Sequence, residues 1–133
     1  MDHLLRKLAA ANSSVAAEAS QDLFSGEWKN QLSSRMMLTV DGQGQVTGTY
    51  TTAVGQPDSR QSPLIGFVSN DIIKFTVNFG RSLAAWSGQL QQNDQGQEEL
   101  DTLWHLIVNV PEEEEPSHAW KDTYTGSDRF HRA

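Results

Sequence analysis

The sequence predicts an all-β protein: an eight-stranded antiparallel up-and-down β-barrel over residues 23–133, preceded by a short helical or disordered extension over residues 1–22. Three observations point there. From about residue 23 the apolar pattern leaves helical spacing for short alternating runs. Gly, Asn, Asp and Pro punctuate those runs. Eight strands joined by short links are enough for a sheet to close on itself and keep room for one small ligand.

In the extension, Leu4, Leu8, Ala11 and Val15 fall on one helical face. A secretory signal needs a continuous apolar core of about 7–15 residues, and Asn12, Ser13, Ser14 and Glu18 interrupt it here. A signal peptide is therefore the third choice. Asn12-Ser13-Ser14 fits a glycosylation sequon, which has meaning only in an exported protein.

Strands are expected at 25–31, 35–41, 45–53, 63–69, 72–79, 83–92, 98–110 and 118–125, with a last extended piece around Phe130. Asp41-Gly42-Gln43-Gly44, Ser69-Asn70-Asp71 and Asn93-Asp94-Gln95-Gly96 read as hairpin turns. Pro57 and Pro63 bracket the longest loop, 54–62, where a lid over a barrel mouth would lie.

Side chains two apart on a strand share a face. Trp28 and Asn30 form one such set, and Tyr50 and Thr52 another. Phe75, Val77 and Phe79 follow, then Ala84, Trp86 and Gly88, then Leu100, Thr102 and Trp104. If all point inward, the interior is aromatic at depth with polar groups converging at one end, the usual construction of a small-molecule pocket.

Composition narrows the function classes. At 133 residues the chain has one domain's length. With no cysteine, disulfides and thiolate chemistry are absent. A net charge of −7 argues against nucleic acid and anionic membrane as partners. No apolar run approaches the roughly 20 residues of a transmembrane helix. Glu112 to Glu115, between Pro111 and Pro116, reads as a solvated loop rather than a cation site. His3, His105, His118 and His131 lack metal-ligand spacing, so no metal is expected. His105 should face outward beside Leu103 and Ile107, at a position suited to a subunit interface. No nucleophile signature or phosphate loop is present, and Asp122 and Asp128 form no acid/base pair, so no enzyme is expected.

The wording of several segments is more specific. Gly26-Glu27-Trp28-Lys29-Asn30-Gln31-Leu32, Thr47-Gly48-Thr49-Tyr50, Trp86-Ser87-Gly88-Gln89, Trp120-Lys121 and Gly126-Ser127-Asp128 together resemble the avidin and streptavidin family of biotin-binding proteins. The likeness runs over residues 24 to about 131 in the correct order.

That resemblance implies a set of roles. Asn30, Ser34 and Tyr50 correspond to the donors for biotin's ureido oxygen, an oxyanion-hole logic applied to a ground state. Thr52 and Asp128 correspond to the acceptors of the ureido N–H groups, the Asp128 contact being charge-assisted. Phe79, Trp86 and Trp104 correspond to the aromatic walls, and Trp120 to a tryptophan contributed by a neighbouring subunit. The Gln56 backbone and Ser82 are the candidates for meeting the valerate carboxylate. No cofactor is implied; biotin is the ligand. A homo-oligomer follows, a tetramer before a dimer, with vitamin sequestration as the associated role.

Departures from the family pattern are visible. Phe79 stands where a tryptophan is common, and Ala84 where a threonine often meets the thioether. Gly80-Arg81-Ser82 makes a very short turn, with Arg81 able to offer a compensating charge. Biotin binding weaker than in the best members is expected. Each residue also has a plainer reading: strand tryptophans as core, Asn30 as a local turn former, Asp128 as turn chemistry. Two rivals remain, a barrel carrier of another small hydrophobic molecule and a structural oligomer that has lost its ligand. The compartment stays open: relatives are exported, whereas the missing signal and cysteines lean intracellular.

Overall fold

A computed structural model of the chain describes residues 1–4, 22–53, 60–109 and 123–133. Its strands are β1 (Gly26–Asn30), β2 (Arg35–Val40), β3 (Gln45–Thr51), β4 (Gln61–Ser69), β5 (Ile72–Asn78), β6 (Ser82–Gln92), β7 (Glu98–Val108) and β8 (Thr123–Arg132). Each pairs antiparallel with the next, and β1 closes the barrel on β8 through Trp28 with Arg132, Lys29 with His131 and Asn30 with Phe130.

Alternation produces this arrangement. β5 alternates exposed and buried residues along its whole length, so one face of the strand must be withdrawn from water. The inward set runs Trp28, Met36, Leu38, Val46, Leu64, Ile73, Phe75, Val77, Leu100 and Phe130, all buried. A large apolar side chain fully withdrawn from water contributes about 1.5–3 kcal/mol.

The hairpin turns follow their chemistry. Asp41 Oδ1 accepts from the N–H groups of Gln43 at 2.8 Å and Gln45 at 2.9 Å, and Asn93 Oδ1 does the same for Gln95 and Gln97. Asn70 takes a left-handed φ of 54°, which an Asn tolerates, and so closes a two-residue link.

One end of the barrel is plugged. Phe24 and Trp28 are buried there, and Trp28 Nε1 donates to the Phe24 carbonyl at 2.8 Å. Arg132 lies over the Trp28 ring at 4.1 Å. It also donates to the carbonyls of Ser25 at 2.6 Å and Leu23 at 2.7 Å, and pairs with Glu98 at 2.9 Å. Access from this end is blocked.

Two expectations are corrected. The fourth strand, expected from 63, starts at Gln61, so residues 61 and 62 of the expected loop belong to β4 and Pro63 stands inside it, opposite Thr49 of β3. Proline is tolerated there because β5 pairs with β4 only from Leu64 onward, so no ladder bond on that side needs its missing N–H. The separate extended piece around Phe130 is the continuation of β8, which runs unbroken from Thr123 to Arg132. Gly126, just past the expected end at 125, is a strand residue opposite Trp104. The expected lid and the extension lie largely outside the described residues, since 54–59 and 5–21 are not described.

Candidate functional site

The end opposite the plug is where β1, β3, β5 and β7 finish and β2, β4, β6 and β8 begin. Asn30 is the last residue of β1 and is buried. Its Oδ1 accepts the backbone N–H groups of Leu32 and Ser34, each at 3.0 Å, around a turn in which Ser33 has φ 68°. The local-turn reading of Asn30 is thus correct for its oxygen. It also leaves the amide nitrogen pointing inward, where Nδ2 donates to the Tyr50 hydroxyl at 3.3 Å. Buried Ser34 accepts the Ala53 N–H on its hydroxyl at 3.3 Å, and half-buried Thr52 follows β3 directly beyond Tyr50.

Burial pushes the Tyr50 phenol up to about 12. The negative charge of Asp128 adds to that, while hydrogen bonding with Ser34 and Asn30 opposes it. The group therefore stays a neutral donor across the physiological range.

Aromatic rings wall this end. Tyr50 meets Phe79 edge-on at 5.9 Å and Trp86 at 5.1 Å with a 31° tilt. Phe75 stacks on the far side of this group, 5.1 Å from Trp86. Trp104 is the direct cross-strand partner of Trp86. Its ring lies over Gly126 of β8, where an added Cβ would sit 2.6 Å from Trp104 Cε2.

Asp128 enters from β8. Its Oδ2 accepts Trp86 Nε1 at 3.0 Å and its Oδ1 accepts Gln31 Nε2 at 3.0 Å. Thr102 Oγ1 fixes the strand beneath by donating to the Asp128 carbonyl at 2.8 Å. The result is a neutral donor group (Asn30, Ser34, Tyr50) beside a carboxylate acceptor, within a cage of rings. Such an array complements a small planar group that carries both a carbonyl and N–H donors.

Of the residues singled out in the sequence, Asn30, Ser34, Tyr50, Thr52, Phe79, Trp86, Trp104 and Asp128 all belong to inward sets near this mouth. Ser82 opens β6 at its rim opposite Val108, and Ala84 is buried two residues further in. Gln56 and Trp120 lie outside the described residues, as do Asp122, His118 and the Glu112–Glu115 run. Three contributors were missed. Phe75 was in an inward set but given no role, Thr102 likewise, and Gln31 has outward parity on a strand that in fact ends at Asn30.

His105 is exposed on the outside of β7, as expected. No group of three or more His, Cys, Asp or Glu side chains among the described residues is placed to hold a metal ion. No helix among them is long and apolar enough to cross a membrane.

A concavity of about 1100 Å³ runs across β4 to β8; Gln31, Thr102 and Asp128 line part of it, and exposed Phe67, Ile72, Lys74, Leu103 and Arg129 another part. The donors and rings converge at the mouth, which is the candidate site.

A closed up-and-down barrel, plugged at one end and holding ringed polar groups at the other, has the architecture of a small-ligand β-barrel. The avidin family model matches residues 18–133. The chain belongs to the avidin family. Avidin-related protein 4/5 of Gallus gallus is 35% identical to it over 138 residues, covering 97% of this chain and 89% of the relative. The solved structure of xenavidin superposes with a TM-score of 0.73 at 32% identity, covering 84% of this chain and 98% of that one. A rhizavidin–biotin complex superposes with a TM-score of 0.69 at 28% identity, covering 83% and 100% respectively.

Proposed function

We propose that this protein binds biotin, without catalysis, in the open mouth of the barrel. In this reading the ureido carbonyl sits against Asn30, Ser34 and Tyr50, and the ureido N–H groups donate to Asp128 and Thr52. The bicyclic ring system packs among Phe79, Trp86 and Trp104. The valerate tail leaves past Ser82 and the Gln56 segment. The observation that carries this reading is the meeting of Asn30 Nδ2, the Tyr50 hydroxyl and the Trp86-held carboxylate of Asp128 at one end of a closed cylinder. Membership of the avidin family and likeness to a biotin complex support it.

Ala84 removes a hydroxyl where relatives meet the thioether, and Phe79 is a smaller wall than tryptophan. Losing one or two hydrogen bonds of about 1 kcal/mol each, with some apolar contact, sets the expected deficit at roughly 10- to 100-fold relative to the tightest members.

The partner we propose besides biotin is a second copy of the chain. Phe67 is 65% exposed and Leu103 70% exposed, with Ile65, Ile72, Leu83 and Ile107 around them on the outer wall. The barrel has no free edge, so association must use faces. The same wall carries Lys74 and Arg129 beside Asp101, a mixture that a two-fold pairing can satisfy against itself.

Thermal unfolding with and without biotin tests the reading. A ligand at about 1,000 times its dissociation constant adds roughly 4 kcal/mol of stability. An unchanged melting temperature in saturating biotin contradicts the proposal and favours a structural oligomer. A shift with fatty acids but not with biotin favours a carrier of another ligand.

A further inference from the structure

Gln31 stands one residue beyond the last backbone pair between β1 and β8, Asn30 with Phe130. There its side chain takes over from the ladder. Gln31 Oε1 accepts the backbone N–H of Arg129 at 3.0 Å, and Nε2 donates to Asp128 Oδ1 at 3.0 Å. Only the amide oxygen can meet the Arg129 N–H, so the orientation of the amide is settled and its NH₂ must face the carboxylate. With Trp86 Nε1 on Oδ2 at 3.0 Å, each oxygen of Asp128 is held by a donor from a different part of the chain.

We propose that Gln31 is a positioning residue for ligand binding: it fixes the direction in which Asp128 presents its carboxylate, and thereby controls how long the ligand stays. The inference rests on the reading of the mouth as a biotin site. A carboxylate tethered through Trp86 alone can turn about its side-chain bonds, and a misdirected acceptor forms a weaker hydrogen bond. Arg129 does not substitute for the clip, because its guanidinium is turned to Asp101 at 2.6 Å and Glu99 at 2.8 Å. Among the described residues, the Tyr50 phenol from β3 also faces this carboxylate and feels its charge.

Two substitutions test this. In Gln31→Ala, biotin dissociation, followed by competition with labelled biotin, becomes faster by about 10-fold or more. Gln31→Glu places a second carboxyl against Asp128, and two carboxyls in contact share one proton. At about pH 5 the shared proton replaces the amide donor; at about pH 8 the two charges repel. The expected result is dissociation close to wild type at the acid value and markedly faster at the alkaline one, each against wild type at the same pH. Loss of turn structure alone gives no such pH dependence. A Gln31→Glu variant that tracks wild type at both values overturns the proposal. A second measurement needs no ligand: the Trp86 indole N–H resonance, assigned with Trp86→Phe, moves upfield in Gln31→Ala as its acceptor loosens. An unmoved resonance also overturns it. If wild type fails to bind biotin, the site reading falls, and the indole resonance still decides whether Gln31 holds Asp128.

Discussion

Trp86 and Asp128 are joined by a 3.0 Å hydrogen bond from the indole nitrogen to Oδ2, across 42 positions of sequence. The bond ties β6 to β8 over the intervening β7 and makes one of the aromatic walls also a holder of the charged acceptor. Asp128→Ala should therefore weaken biotin binding through two effects, loss of the charged acceptor and an unpartnered indole N–H. A hydrogen bond to a charged group contributes about 1.5–3 kcal/mol, so calorimetry should read a loss of at least about 10-fold. Unchanged affinity in this variant contradicts the placement of the ureido group.

The Tyr50 phenol gives a pH signature to stability. Its proton leaves at about 12 in the fold, above the phenol's ordinary 10.0. Over that interval the unfolded chain has released the proton while the native one retains it, so the native state loses ground as pH rises. Stability from this group is complete below pH 10.0 and falls away as pH climbs through about 12. Two units correspond to something on the order of 2–3 kcal/mol. Urea midpoints for wild type and Tyr50→Phe should diverge in alkali, with the variant declining less. Parallel curves contradict the assignment.

Gly126→Ala should disturb the site without touching a ligand-facing polar group. The new methyl overlaps the Trp104 ring at Cζ2 and Cε2, and the neighbour is a rigid indole seated against Trp86. Overpacking of this kind costs about 1–3 kcal/mol. A lowered melting temperature with a changed tryptophan emission spectrum is the expected outcome; an unperturbed spectrum contradicts it.

Leu103→Asp, on the most exposed large apolar side chain of the outer wall, should reduce the sedimentation coefficient if that wall seats a second copy. Adding a charge to an apolar contact repeats the penalty on both sides of a two-fold axis. Biotin should still enter the mouth of the resulting smaller species, since Leu103 faces away from it. A monomeric wild type contradicts the self-association proposal outright.

Most of the architecture was legible because strand periodicity is a local property. Ile73, Phe75 and Val77 alternate with Lys74, Thr76 and Asn78, Asp41 and Asn93 mark turns through hydrogen bonds to nearby backbone, and Asn70 through its left-handed φ. The fourth strand was started at Pro63 because proline locally bounds a strand, whereas its tolerance two residues inside β4 depends on where β5 begins. The eighth strand was split for a similar reason: Gly126 looks like a breaker until Trp104 is known to cover it. Candidate site residues such as Asn30, Tyr50 and Asp128 were singled out through family wording, and their contacts depend on barrel closure. Gln31 escaped because alternation assigns it to the outside, while its role comes from leaving the strand altogether.

The pairing of β1 with β8 has a consequence for how the protein is made. Residues about a hundred positions apart must find one another before the cylinder exists, so loop-closure entropy falls heavily on the final seam. High contact order of this kind slows folding. On a ribosome, the first strand must wait unpaired on one side until Phe130 and Arg132 have emerged.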